Sequence, residues 1–103
     1  MKKAEIYVDG QLAGWLIEED KFRYRFEYDT NYQCNPISLT MPLTKRKYEY
    51  GKFPPFFDGL LPEGIMLAML LKQGKLDSHD YLGQLIRVGE DLVGNITVRE
   101  YTL

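Results

Sequence analysis

Apolar and polar residues alternate through the first third of the chain, and this alternation predicts three β-strands. Residues 3–8 and 11–17 flank the pair Asp9-Gly10, which tolerates the positive φ angles that a two-residue hairpin turn requires. After a polar break, residues 22–28 place four aromatic residues on one face and three charged residues on the other. We therefore expect an antiparallel hairpin followed by a third, half-buried strand.

The pattern is weaker between that strand and the middle of the chain. Residues 36–42 begin and end with proline and carry three apolar residues at alternating positions. Proline is tolerated at the edge of a sheet, where no partner strand needs its missing N–H, so this stretch predicts an edge strand. Residues 43–52 show no sustained period and are interpreted as a loop.

The second half of the chain predicts three helices. Pro54 and Pro55 suit the first turn of a short helix, where their missing N–H groups cost nothing, and Gly59 with Pro62 ends or bends it. The apolar run that follows predicts a second helix over about 63–73. A third helix is expected before a short closing strand.

Cap signals define the second and third helices. Glu63 suits the positive end of the second helix dipole, and Gly74 is a plausible C-terminal cap. Asp77-Ser78 offers N-caps for the third helix, which Gly89 stops. Strands, then helices, then a closing strand at 96–98 predict an α+β fold. We expect a single small domain, with an antiparallel hairpin and meander sheet and about three short helices packed against it.

Composition narrows the classes of function. The chain has 103 residues, enough for one domain with one core but not for a core and a deep catalytic cleft. Its 13 Lys and Arg against 15 Asp and Glu give a net charge of −2, which argues against direct nucleic-acid binding. One cysteine excludes an internal disulfide, and no apolar run approaches the roughly 20 residues that span a bilayer. We expect a cytoplasmic protein that does not bind a membrane, a metal or a cofactor.

Few residues offer catalytic chemistry. Residues 89–95 have the glycine spacing of a phosphate-binding loop, but an asparagine stands where the lysine is required, so a helix cap and a tight turn are the better interpretation. His79 and Cys34 are the only residues of their types, and neither has a partner at usable spacing. A Cys–His pair formed by the fold is the remaining enzymatic alternative. Asp58 and Glu63 fit cap and turn roles better than an acid pair.

The most unusual feature is an apolar run at residues 65–71. A helix packed against a sheet needs an apolar stripe about 100° wide, whereas these residues surround the whole helix. One interpretation is a core helix covered on all sides. The other is a protein-binding surface, projected by the turn at 62–64. Its anchors would be Phe56, Phe57, Ile65, Met66 and Met69.

Five segments point to a known family. The most specific is FFDGLLPEG at 56–64, which follows NPISLTMPL at 35–43. The others are VDGQLAGWL at 8–16, FRYRFEYD at 22–29 and LIRVGEDLVGNITV at 85–98. In order and spacing they resemble the N-terminal subdomain of the HipA-family serine/threonine kinases, over essentially the entire chain. The resemblance implies a stand-alone copy of that subdomain over 1–103, with no kinase domain and no enzymatic activity.

A free-standing copy of this subdomain is similar to the HipS antitoxins of bacterial tripartite HipBST toxin–antitoxin systems. The resemblance implies an antitoxin that binds and inhibits a HipT-like kinase toxin in trans, in a complex with a HipB-like DNA-binding protein. The alternative is a non-catalytic structural or activating subunit that completes a HipA-like kinase. The expected partner-binding residues are Phe56, Phe57, Asp58, Leu61, Pro62, Glu63, Gly64, Ile65, Met66 and Met69.

The chain departs from the kinases of this family at two places. After Pro-Glu-Gly the kinases tend to have charged or polar residues, where this chain has Ile65-Met66-Leu67. Near the last strand it has Leu92 and Asn95, where the kinases usually have Cys and Ala. A more apolar loop is what a detachable inhibitor needs as a desolvated anchor.

Overall fold

Within residues 2–92 and 94–101, which the computed structural model describes, five strands form one antiparallel sheet. The strands are β1 (Lys2–Val8), β2 (Gln11–Asp20), β3 (Arg23–Tyr28), β4 (Lys47–Tyr50) and β5 (Ile96–Glu100). Their order across the sheet is β4-β3-β2-β1-β5, so the last strand of the chain lies beside the first. The α+β class predicted from the sequence is confirmed.

The predicted hairpin is formed by β1 and β2. Asp9 and Gly10 have φ angles of 50° and 80°, which are the positive values that a two-residue hairpin turn needs. The pairing register shifts between Ile6 and Tyr7, which marks a β-bulge near the start of β2. The Asp9 N–H also donates to the carbonyl of Asn95 (2.9 Å), and this bond ties the hairpin turn to the loop before β5.

The third strand is half-buried as predicted, with one correction. Tyr24, Phe26 and Tyr28 point to one face of β3 and are buried. Phe22, the fourth aromatic residue predicted for this face, lies in the preceding turn and is 75% exposed. The strand begins one residue later because Asp20 Oδ1 accepts a hydrogen bond from the Phe22 N–H (2.8 Å), which holds Phe22 in the turn.

The prediction of an edge strand at 36–42 is wrong. This stretch forms turns beside the buried face of the sheet, organised by the Tyr28 hydroxyl. That hydroxyl accepts a hydrogen bond from the Ile37 N–H (3.0 Å) and donates one to the Met41 carbonyl. Ile37 and Met41 are therefore buried, whereas Leu39 is 97% exposed. The alternating apolar residues reflect two core contacts of a turn, not one face of a strand.

One edge of the sheet is formed by β4, which lies inside the stretch interpreted as a loop. It pairs with β3, and its two tyrosines, Tyr48 and Tyr50, pack against the core. Lys47 and Glu49 alternate with them and are exposed. Four residues of alternation are too few to stand out from the surrounding polar sequence.

The three predicted helices are present, and the second ends differently from the prediction. The helices are α1 (Pro55–Asp58), α2 (Gly64–Gly74) and α3 (Tyr81–Arg87). Gly74 is the last helical residue of α2, and the cap is Lys75, which has a left-handed conformation with φ 53°. The Lys75 N–H donates to the Leu71 carbonyl and so closes the last turn.

The N-cap of α3 is Asp80, not Asp77-Ser78. Asp80 Oδ1 accepts a hydrogen bond from the Gly83 N–H (3.0 Å). A Cβ at position 83 would lie 2.2 Å from Asp80 Oδ2, so glycine at this position makes room for the cap. His79 consequently lies before the helix.

The helices cover one face of the sheet and build the core with it. Helix α3 packs against β1 and β5 and buries Leu82 and Leu85. Helix α1 buries Phe57, and α2 packs against α3. The opposite face of the sheet carries ion pairs, among them Arg25 with Glu19 and with Glu27.

Candidate functional site

Helix α2 packs through one narrow face. The half-buried residues of that face are Leu67, Leu70, Leu71 and Gly74, and no residue of α2 is fully buried. Because a helix turns by about 100° per residue, these four positions fall within an arc of about 100°. The interpretation of α2 as a core helix covered on all sides is therefore wrong, and part of its apolar surface remains uncovered.

The uncovered part is a contiguous apolar surface on the first turns of α2. Ile65 is 78% exposed, Met66 is 64% exposed and Met69 is 48% exposed. Positions three and four apart on a helix are neighbours, so Met69 lies beside both of the others. We call these three residues the apolar ridge. Single exposed apolar residues are ordinary, whereas a contiguous group of large ones is typical of an interaction surface.

A cleft of about 610 Å³ runs beside the apolar ridge. Met66 and Met69 line one wall, and the opposite wall comes from the end of α3 and the loop that follows it. Arg87 and Asp91 contribute one positive and one negative charge to the lining. The apolar lining is completed by Leu60, Pro62, Leu70, Val88 and Leu92. The cleft offers a partner side chain an apolar pocket next to the ridge.

The sequence did not identify the α3 side of this cleft. Val88 and Leu92 are about 20 residues from Met66 in the chain, and only the packing of α2 on α3 brings them together. For Leu92 the sequence contained one indication. It is one of the two positions near the last strand at which this chain departs from the HipA-family kinases that it resembles. No periodicity in the sequence marks Val88.

Phe57, in the helix that precedes the turn to the apolar ridge, is a core residue. Phe57 is 0% exposed, and its ring lies against Phe26 of β3 with 5.7 Å between centroids. Phe56 meets the Phe57 ring edge to face at 5.2 Å and is half-buried. Phe57 therefore has no exposed surface with which to contact a partner, and its place is in the core beneath the candidate site.

The turn between α1 and α2 is held by backbone hydrogen bonds. The Leu60 N–H donates to the Phe57 carbonyl (3.0 Å), and the Leu61 N–H donates to the Asp58 carbonyl (3.1 Å). Gly64 begins α2 with φ 59°, a conformation that favours glycine over residues with a Cβ. Glycine at this position lets the chain turn sharply into the helix that carries the ridge.

The ten predicted partner-binding residues differ in exposure. Phe57 is buried, and Phe56, Leu61 and Pro62 are half-buried. The exposed members are Asp58, Glu63, Gly64, Ile65, Met66 and Met69.

Glu63 lies at the start of α2, as the sequence predicted, but neither its carboxylate nor that of Asp58 makes a capping hydrogen bond. Glu63 is the N-cap residue of α2 by position, but its side chain makes no capping hydrogen bond. Asp58 is the last residue of α1 and contributes only backbone hydrogen bonds to the turn. Both residues are exposed, and Glu63 stands at the N-terminal end of α2, where the helix dipole favours a negative charge.

The fold does not bring Cys34 and His79 together. The Cys34 thiol donates to Gln11 Oε1 (3.2 Å) in a small cavity of about 110 Å³, between the β1–β2 turn and the loop after β3. His79 lines a different cleft and lies 3.5 Å from Asp77. The enzymatic alternative of a Cys–His pair is therefore wrong. Among residues 2–92 and 94–101, no group of three or more His, Cys, Asp or Glu could hold a metal ion.

Residues 89–95, which have the glycine spacing of a phosphate-binding loop, connect α3 to β5. The Gly89 N–H donates to the Ile86 carbonyl (3.2 Å), and the Gly89 carbonyl accepts from the Val98 N–H (3.0 Å). Position 93 lies outside the described residues. The bonds of Gly89 support the interpretation as a helix end and a turn into the last strand.

A second cleft, of about 680 Å³, lies near the N-terminus of α3. Tyr24, Phe53 and Tyr81 line it, and burial together with the Glu18 carboxylate raises the pKa of Tyr24 to about 12. Its charged lining balances, with three lysines against three carboxylates: Lys2, Lys21, Lys52, Glu18, Asp77 and Asp80. This balance gives the cleft no net charge with which to select a ligand.

Comparison with known proteins assigns the family. The family model described as the HipA N-terminal domain matches residues 4–99. The chain therefore belongs to the HipA N-terminal domain family. A solved structure described as the N-terminal domain of HipA toxin superposes with a TM-score of 0.78 at 24% identity, over 99% of this chain and 94% of that one. At this identity the superposition shows a common fold.

Curated proteins also match, among them two that differ in how much of their length the chain covers. A protein of Haemophilus influenzae described as uncharacterized is 26% identical over 100 residues, covering 97% of this chain and 93% of that protein. A glutaminyl-peptide cyclotransferase of Gloydius blomhoffii is 40% identical over 58 residues, covering 50% of this chain but 16% of that protein. So small a share of the second protein carries no argument about function.

The helices of residues 2–92 and 94–101 are short. None of them has the length and apolar character needed to cross a bilayer.

Proposed function

We propose that this chain is an antitoxin that binds a HipT-like serine/threonine kinase toxin in trans and inhibits it through the apolar ridge and the turn at 62–64. The observation that carries the proposal is the exposure of Ile65, Met66 and Met69 on a helix that packs through its opposite face. Fully burying one such side chain at an interface contributes about 1.5–3 kcal/mol. Three of them next to an apolar cleft form an anchor for a protein partner.

One apolar residue from each of the two departures from the kinases of the family supports the proposal, because these two residues meet at one surface. Met66 follows the Pro-Glu-Gly segment, and Leu92 follows α3. In the structure both side chains line the same cleft. Asn95, the other residue of the second departure, is polar and lines a different cavity. An apolar surface built from two distant segments fits a domain that must hold a partner without a covalent connection to it.

The remaining parts of the proposal concern activity and assembly. We propose that the chain is not an enzyme, since the described residues form neither a Cys–His pair nor a metal-binding group. A complex with a HipB-like DNA-binding protein would connect the chain to DNA indirectly. The net charge of −2 supports an indirect connection over direct nucleic-acid binding.

The experiment is a titration of kinase activity. Autophosphorylation and substrate phosphorylation by the HipT-like kinase of the same genome are measured while the purified chain is added at rising molar ratio. We expect both rates to fall and the effect to saturate near one chain per kinase. A rise in the rates would identify an activating subunit that completes the kinase, and unchanged rates at saturating chain would contradict both roles.

A further inference from the structure

We infer that β4 is an interaction surface for a second copy of this chain. In the dimer the β4 strands of two copies pair antiparallel about a two-fold axis between their Tyr48 residues, so that the two sheets join edge to edge. Strand β4 forms one edge of the sheet. It carries none of the residues proposed to contact the kinase, so the inference goes beyond the proposed function and does not depend on it.

The backbone of β4 has two hydrogen-bonding positions directed away from the sheet. The Tyr28 N–H donates to the Arg46 carbonyl (2.8 Å), which fixes the alternation of the ladder between β3 and β4. In an antiparallel ladder, residues that exchange hydrogen bonds recur at every second position, so Tyr48 bonds to β3. Lys47 and Glu49 therefore direct their N–H and C=O groups outward. Within residues 2–92 and 94–101 no hydrogen bond is made to these groups.

The two edges of the sheet differ in how far the chain itself covers them. At the β5 edge, the Val98 N–H donates to the Gly89 carbonyl (3.0 Å). A Cβ at position 89 would lie 1.9 Å from the Val98 carbonyl, so the loop after α3 lies directly against this edge. At the β4 edge, Lys47 and Glu49 are exposed. An exposed edge with free backbone groups is a template for pairing with a further strand.

Charge complementarity identifies a second copy as that strand. Only positions with outward backbone groups can hydrogen-bond across the new pair, so within β4 the two-fold axis can lie at Lys47, Tyr48 or Glu49. An axis at Lys47 or at Glu49 places like charges opposite each other, which is unfavourable. An axis at Tyr48 places each Lys47 opposite Glu49 of the second copy, which is favourable. The segment Lys47-Tyr48-Glu49 is thus complementary to itself in one register.

Tyr48 faces its own symmetry mate at the axis. It occupies a non-hydrogen-bonded position of the new pair, where opposed side chains come closest, and aromatic pairs at such positions are favourable. Its ring is half-buried against the core, and its hydroxyl donates to the Pro42 carbonyl (2.6 Å). The ring is therefore held before the strands meet. The pairing adds about four backbone hydrogen bonds, an extent typical of a weak, concentration-dependent dimer.

The experiment exchanges the charges of β4 and measures dimerisation by sedimentation equilibrium at rising protein concentration. We expect the wild type to dimerise, and Lys47→Glu and Glu49→Lys each to weaken dimerisation about tenfold, because each variant places like charges opposite each other twice. The double variant Lys47→Glu/Glu49→Lys restores the complementarity and should dimerise like the wild type. An equimolar mixture of the two single variants should also dimerise, because each copy then faces its opposite charges.

Amide hydrogen exchange locates the interface independently of the charges. The Tyr48 N–H bonds to β3 and should be protected at every concentration. The N–H groups of Lys47 and Glu49 should become protected only at concentrations where the dimer forms. The matched control is Glu100→Lys, which reverses an exposed charge on β5, the strand at the other edge. This variant should dimerise like the wild type.

Three results would overturn the inference. A wild type that stays monomeric at every concentration would remove the dimer and leave the proposed function untouched. A dimer that is lost in Glu100→Lys or Ile65→Asp but kept in Lys47→Glu would assign the contact to β5 or to the apolar ridge. Failure of both the double variant and the mixture to recover the dimer, with every variant folded by circular dichroism, would remove the register at Tyr48.

Discussion

The ring of Phe57 lies against the ring of Phe26, with 5.7 Å between their centroids. This contact connects α1 to the centre of the sheet, because Phe26 belongs to β3 and is itself 0% exposed. The turn that leads to the apolar ridge starts immediately after Phe57 and α1. The ridge is thus presented from a fixed base, which limits the conformational entropy that a partner must remove on binding.

Truncation of Phe57 should be far more costly than truncation of its neighbour. Phe57→Ala removes a fully buried ring and is expected to lower the free energy of unfolding by about 3–5 kcal/mol. Phe56→Ala is the matched control, and because Phe56 is half-buried the loss should be about half as large. Urea denaturation followed by circular dichroism measures both. Equal losses would contradict the assignment of Phe57 to the core.

Replacement of Lys75, the cap residue after α2, with glycine should stabilise the protein. Lys75 has φ 53°, a left-handed conformation that costs a residue with a Cβ about 1–2 kcal/mol. Lys75→Gly is therefore expected to raise the free energy of unfolding by about 1 kcal/mol. The same substitution inside the helix, Lys72→Gly, should lower it by about 1 kcal/mol. The urea midpoints of the two variants should move in opposite directions. A shift of both to lower urea would contradict the assignment of Lys75 as a left-handed cap of α2.

Alkaline pH should destabilise the fold through Tyr24. Burial and the Glu18 carboxylate raise its pKa to about 12, whereas an unfolded tyrosine titrates near about 10. The neutral form is favoured in the folded state, so this contribution to stability is complete below pH of about 10 and is lost as the pH rises toward about 12. Burial also raises the pKa values of Tyr7, Tyr28, Tyr32 and Tyr50.

The measurement is the urea midpoint as a function of pH. We expect it to fall between pH of about 10 and 12, and Tyr24→Phe should reduce that fall because phenylalanine has no proton to lose. A fall of the same size in Tyr24→Phe would show that Tyr24 makes no contribution to the alkaline instability.

Local sequence patterns predicted most of the fold where local interactions decide it. The Asp9-Gly10 turn was identifiable because positive φ angles at both positions select such residues. The stretch 36–42 was mistaken for a strand because its turn is organised by Tyr28, which is distant in the chain. Strand β4 was missed because it owes its place to pairing with β3 more than to its own four residues.

Only the α2 side of the candidate site was predictable from the sequence. An apolar run wider than a helix stripe indicated that some of α2 would remain exposed, and Ile65, Met66 and Met69 are exposed. Exposure alone distinguishes Phe56 from Phe57, and no pattern in the sequence could assign which of two adjacent phenylalanines enters the core. The α3 side of the cleft, with Val88, required the packed structure.

The most direct test of the account is the dissociation constant of the complex between the HipT-like kinase and the Ile65→Asp variant. Ile65 is exposed and lies in the first turn of α2, where an acid suits the helix dipole, so the variant should fold normally. Leu39→Asp is the matched control, because Leu39 is also an exposed apolar residue but lies outside the ridge. The account predicts that Ile65→Asp weakens binding by about 2 kcal/mol or more while Leu39→Asp leaves it unchanged. An unchanged dissociation constant for a folded Ile65→Asp variant would contradict the role of the apolar ridge.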